Sequence, residues 1–241
     1  TVNDLGAHNL PFTLTGLMLI IVGFWGFLMG CVIVPGESWS WYSDQWATIY
    51  GTPMTLSALA FNILMGFAGG IIGAWMVTRD PFWMMSGALA GIIACAAGLD
   101  LWWPPLAFGL GFLGGALLGP AAAFLERFGI DDAVGAVTVH GTIGIMGVLA
   151  VGVFGWGYPA LTGEGAPTIS LYGQAIGALV MILLGFVPGY LVSLLLKALG
   201  MLRVSERAEI NGLDITKVPV KAYPEGIAFA TAPGGPGQPA E

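Results

Sequence analysis

One imidazole sits where few ionisable groups are found. His140 lies in the run Asp131-Asp132-Ala133-Val134-Gly135-Ala136-Val137-Thr138-Val139-His140-Gly141-Thr142-Ile143-Gly144, inside a long apolar stretch. In hydrocarbon such a group is costly unless it is hydrogen-bonded or faces a water-filled path, so it reads either as a functional group on a passage or as a structural hydrogen bonder. If its helix begins near Asp132, with Asp131 or Asp132 capping the free N–H groups, eight residues at 1.5 Å each put His140 about 12 Å into the helix. That is near the middle of a core about 30 Å thick. The carboxylates interact favourably with the helix dipole, and Asp132 is also a candidate support for a pore helix. A second group of interest is Gly23-Phe24-Trp25-Gly26-Phe27. Counted from Pro11, Phe27 stands roughly 24 Å along its own segment, about 12 Å beyond the level of His140. Its ring reads as lipid-facing, as packing, or as a gate.

Other chemistries find no residues. There is no phosphate-binding loop, no dinucleotide fingerprint in strand-turn-helix context, and no His or Cys pair at metal-ligand spacing. With His8 and His140 as the two histidines, a haem or metal cluster within the chain is not expected. Ser86 and Ser170 have no base partner, so nucleophilic catalysis has no support. The sequence reads as neither an enzyme nor a holder of a cofactor. Cys31 and Cys95 lie in apolar stretches and read as small buried hydrophobes, not as a disulfide or metal site.

The elements that must position these groups follow from composition. Of 241 residues 56% are hydrophobic and 9% charged, with mean hydropathy +0.85, so lipid must be the solvent. Six apolar segments are predicted: Pro11 to Val34, Leu56 to Val77, Phe82 to Leu99 (short and Gly/Ala-rich), Leu106 to Leu125, Ala133 to Phe154 and Tyr172 to Leu199. The fold class is therefore all-α, a polytopic transmembrane helical bundle of about six membrane-spanning helices occupying 1–199. A cytoplasmic tail over 200–241 ends in a low-complexity stretch expected to be disordered. All seven basic residues, Arg79, Arg127, Lys197, Arg203, Arg207, Lys217 and Lys221, follow even-numbered segments or lie in the tail, which predicts that both termini are cytoplasmic. The net charge of -7 argues against nucleic-acid binding.

Two longer connections, Pro35 to Pro53 and Gly155 to Leu171, suit extracellular caps. Trp39, Trp41, Trp46, Trp102 and Trp103 are expected in an aromatic belt. Gly69 and Gly73, Gly87 and Gly91, and Gly111, Gly115 and Gly119 recur at four-residue spacing, the pattern of closely packed helices. The chain opens on Thr1 with no basic-then-apolar leader, which reads as a cut edge, either of a processed chain or of the ordered part of something longer.

Four stretches resemble the ammonium transporter, methylammonium permease and Rhesus protein family. His8-Asn9-Leu10-Pro11 with Gly23-Phe24-Trp25-Gly26-Phe27 is similar to the family's sixth transmembrane helix, and Asp131-Asp132 with Val139-His140-Gly141 to its tenth. Leu202-Arg203-Val204-Ser205-Glu206 and Gly212-Leu213-Asp214 with Ala222-Tyr223 resemble its cytoplasmic tail, and Ala60-Phe61-Asn62 and Ser86 to Gly91 fit the intervening helices. The resemblance implies the sixth to eleventh helices of an eleven-helix protein, located in the cell (inner or plasma) membrane. It implies that His140 is the second of two pore histidines, that Phe27, beside Phe24, is one of two stacked gate rings, and that Asp132 and Gly141 support the pore helix. It further implies ammonium or ammonia as substrate, a homotrimer, and a cytoplasmic nitrogen-signalling regulator at the tail. Where many relatives carry Asn and Ser after the gate ring, this chain has Leu28 and Cys31, which weakens Cys31 as an outer recruitment position. The first pore histidine, the other gate ring and the recruiting tryptophan would lie on helices from the same precursor or a second chain. The alternative is a non-transporting structural or ammonium-sensing membrane subunit of the same fold.

Overall fold

The computed structural model of the chain describes residues 9–31, 54–130, 132, 134–157, 168–211 and 216–217. His8, Asp131, Trp39, Trp41, Trp46, the connection over 35–53, most of the one over 155–171 and the tail motifs beyond 211 lie outside the described residues.

Helix starts are written in the sequence. In α1 (Leu10–Gly30) the Asn9 side chain accepts the Phe12 N–H at 2.9 Å, and Pro11 sits in the first turn, where a missing N–H costs nothing. Thr55 caps α2 (Leu56–Thr78) through the Ala58 N–H at 3.1 Å, and Asp80 caps α3 (Pro81–Ala96) through the Trp83 N–H at 3.0 Å. Between them Arg79 takes the left-handed conformation, φ 59°, that lets α2 stop and α3 begin two residues later, with its guanidinium 3.7 Å over the Trp75 ring. Pro104 and Pro105 open α4 (Pro104–Glu126). A seven-residue π-helical segment, Val137–Ile143, then runs directly into α5 (Gly144–Phe154). The longest helix is α6 (Leu171–Ala198), and α7 (Glu206–Asn211) is a short helix in the tail.

Among the described residues there is no β-strand, and the spans agree with the six apolar segments to within a few residues. Five are long and apolar enough to cross a bilayer: α1, α2, α4, the π segment with α5, and α6. The sixth, α3, is apolar but has 16 residues, as its Gly/Ala-rich sequence leads one to expect. The protein is thus an all-α polytopic bundle.

The chain forms two compact units, 1–181 and 182–241. At the centre of the first, α2, α3 and α4 pack on one another through glycine. A Cβ on Gly70 would strike the Gly87 carbonyl and lie 2.8 Å from Gly91 Cα; on Gly69 or Gly73 it would strike backbone of Phe108 or Phe112; on Gly111 or Gly115 it would strike the carbonyls of Gly66 or Gly70. The three helices therefore meet backbone to backbone, as small faces at four-residue spacing allow. Leu56, Leu59, Ile63, Phe67, Ile92, Cys95 and Leu110 fill the core beside them, and α1 adds Leu28 and Met29.

Polar groups hold the end of this trio where α3 turns into α4. Asn62, buried in α2, donates to the carbonyls of Leu99 and Trp102 at 2.9 and 2.7 Å, fixing the turn between α3 and α4. Trp102 is 4% exposed and its indole N–H donates to Cys95 O at 2.9 Å. It is therefore a core residue and not part of an aromatic belt: its N–H finds a carbonyl inside the bundle, whereas Trp103 next to it is 65% exposed.

In the second unit, the last turn of α6 closes on Gly200 at φ +68°, with Met201 N–H reaching Leu196 O at 2.8 Å. Arg203 pairs with Glu209 at 2.8 Å beside α7.

Candidate functional site

The His140 segment begins later than a simple count allows. Gly135 takes φ +72°, open to glycine and strained for most residues, so no helix continues through it. Val134 and Gly135 form a turn, with Gly135 N–H donating to Asp132 O at 2.9 Å. Val137 opens the span, which places His140 three residues in rather than eight. Its level is instead set by its neighbours. A Cβ on Gly135 would lie 3.9 Å from the Trp83 ring, near the start of α3, and one on Gly144 would lie 3.6 Å from Ile93, near its other end. His140 lies between those two positions in the chain. The turn is tucked beside α3 at the level of Trp83.

Asp132 organises this turn. Its Oδ1 accepts the Val137 N–H at 3.0 Å, and its Oδ2 accepts both the Thr138 N–H and the Thr138 hydroxyl at 2.8 Å. Burial raises the tendency of this carboxyl to protonate, but the donors of Thr138, Val137 and Ala136 outweigh it and hold the group below its ordinary value. Asp132 therefore carries its negative charge at neutral pH, at the positive end of a helix.

Downstream of the clamp the segment is wound more loosely than an α-helix: the Gly144 N–H reaches back five residues to Val139 O. One face of it is packed, with Val139 and Ile143 joining Ala90, Ala94 and Leu118 in a second buried cluster and Thr138 fully enclosed. The other face is open, and it carries His140, Val137 and Thr142. Among the described residues no hydrogen bond reaches the His140 imidazole. A Cβ on Gly141 would meet nothing closer than Val137 at 3.6 Å, so packing within this chain does not demand glycine there.

The aromatic candidates are separate from this segment. Phe24 and Phe27 meet edge to face on α1, centroids 5.9 Å apart, with Phe24 against the core and Phe27 62% exposed. Among the described residues no ring contact or hydrogen bond joins either of them to His140. Leu28 is buried in the core. Cys31, at the C-cap of α1, is exposed, in contrast to the buried reading; Cys95 is buried, its thiol donating to Ala107 O at 3.0 Å. An open apolar groove of about 450 Å³ runs between α4 and α5, lined by Leu110, Leu113, Met146, Leu149 and Phe154, with Thr142 at its rim.

Sequence reading passed over Thr138. The signal was present: a threonine six residues after an aspartate, at a position where a hydroxyl must be satisfied inside an apolar helix, is a candidate partner for that carboxylate.

The architecture is that of a polytopic membrane protein with an exposed imidazole in one of its spans. The chain belongs to the Ammonium Transporter Family, whose profile matches residues 2–223. It is similar to the ammonium transporters Amt2 and Amt1 of Methanocaldococcus jannaschii, at 33% and 32% identity over 90% of this chain and 47% and 51% of theirs. The ammonium transporter of Bacillus subtilis is 27% identical over 91% of this chain and 53% of its own. The chain spans about half the length of the curated relatives it matches.

Proposed function

We propose that this chain supplies the His140-bearing half of a conduit that moves ammonium or ammonia across the membrane, the other half being contributed by further helices of the same precursor or by a second polypeptide. The observation that carries the reading is the His140 imidazole: exposed, without a hydrogen-bond partner among the described residues, and held in an apolar span by a charged clamp. An imidazole left so in lipid is costly, so a facing polar group or a passage accounts for it. In this reading the Phe27 ring covers the extracellular mouth, where its face attracts a cation that has lost part of its water. Past that ring the path is apolar, and an unpaired charge there is penalised far more than a neutral molecule with few polar hydrogens. Hydrated metal cations are thereby excluded, whereas ammonia, or ammonium that hands its proton on, is passed along by hydrogen bonds to His140 and its partner ring.

Both termini of the chain are assigned to the cytoplasmic side, from the placement of the basic residues. A trimeric assembly and a regulator at the tail go with the family reading. The test is uptake by the complete protein: His140→Ala reduces it at least tenfold at unchanged membrane abundance. Uptake that survives the substitution unaltered refutes the assignment.

A further inference from the structure

We infer that Thr138 is a positioning residue: with Asp132 it holds the π-helical register of Val137–Ile143, and that register sets the direction of the His140 ring. The inference rests on His140 being the group that faces the passage, though its test reads the imidazole directly.

Two pins fix the segment. At one end the Asp132 carboxylate takes three hydrogen bonds, two of them from Thr138 at 2.8 Å, and Thr138 is itself completely enclosed. At the other end α5 lies against α3 at Gly147, where a Cβ would stand 2.7 Å from Ala94 O and 3.0 Å from Ile93 O, so no sliding along α3 is free there. Between the pins the chain carries more residues than an α-helix would need, and the surplus is taken up as π turns; the bond from Gly144 N–H to Val139 O spans His140. π turns are rare and occur mostly as single-turn bulges within α-helices, so a tie outside the helix ladder accounts for this one staying in place.

The consequence of releasing the tie is geometric. Feeding one residue back into the turn before Val137 converts π to α and rotates everything upstream of Gly144 by about 100° relative to α5. A ring about 5–6 Å from the helix axis then moves by about 8 Å. His140 leaves the open face and turns toward the side now occupied by Thr138 and Val139. The hydroxyl is the part of Thr138 that matters for this; its methyl group only fills the enclosed site.

The experiment is magic-angle-spinning NMR of the complete protein in lipid bilayers with ¹⁵N-labelled histidine, His140 being assigned by its loss in His140→Ala, run beside ammonium uptake. Thr138→Val, which removes the hydroxyl and keeps the shape, is expected to add a second His140 resonance with at least a tenth of the intensity and to lower uptake at least threefold. Thr138→Ser, which restores the hydroxyl, is expected to return both to wild type. Should valine prevent folding, Asp132→Asn serves instead: it keeps an acceptor for Val137, loses the bonds at Thr138, and is expected to show the same second resonance. A single, unshifted His140 resonance in the folded variant overturns the inference, as does an uptake loss that serine leaves in place. If uptake is absent in wild type while the resonance still splits, the transport reading fails and the positioning role of Thr138 stands.

Discussion

Replacing Gly70 by Ala tests whether backbone contact between α2, α3 and α4 carries the bundle. The added methyl group would strike the Gly87 carbonyl and approach Gly91 Cα to 2.8 Å, both backbone atoms that cannot rotate away. Reaching an ordinary contact of about 3.4 Å requires α3 to withdraw by at least 0.6 Å from Gly91 alone. Overpacking of this kind costs about 1–3 kcal/mol, against which better helix propensity returns at most about 1 kcal/mol. Two further positions grade the effect. Gly119 has one neighbour, the Thr78 methyl at 3.2 Å, which can move, and Gly109 has nothing within 4 Å. The expected order of stability is therefore Gly109→Ala at or above wild type, Gly119→Ala near it, and Gly70→Ala about 1–2 kcal/mol below. The assay is reversible unfolding of the purified protein in mixed micelles, followed by Trp fluorescence. Gly70→Ala and Gly109→Ala unfolding together within about 0.5 kcal/mol would refute the packing argument.

Two more outcomes follow from single side chains. Because its hydrogen bonds hold Asp132 below its ordinary value, the stabilisation they give is present above the ordinary carboxylate range and is lost as pH falls through and below it; the gap in thermal midpoint between wild type and Asp132→Asn should be full at pH 7 and narrow on acidification. A maleimide applied to the native protein should label Cys31 and spare Cys95 until the bundle is unfolded, as intact mass would show, since one thiol is exposed and the other is bonded to Ala107 O in the core.

Most of the architecture was legible because lipid imposes simple rules on sequence. Apolar runs of membrane length gave the spans, and Asn9, Thr55, Asp80 and Pro104 stand where helices begin. The four-residue glycine rows announced close packing, but not that Gly66 and Gly70 lie beneath Gly111 and Gly115, since facing partners depend on tertiary arrangement. Trp102 was misread because an indole suits the membrane interface and a buried carbonyl equally well, and only the fold supplies Cys95 O. At the candidate site, residue type and position single out His140 and Asp132. The π register was not, because it arises from the separation of two pins and not from any residue preference. Thr138 was missed with it, its role existing only once the turn at Gly135 brings the carboxylate over the helix.

The central claim is that the open face of His140 looks onto a narrow passage closed by helices from outside this chain, and a density map of the assembled protein in lipid reads this directly. A second imidazole is expected within hydrogen-bond distance of His140, with Phe27 lying over the outer end of a constricted, apolar path. A map in which His140 is turned into acyl chains, with no facing polar group and no path beside it, would contradict it.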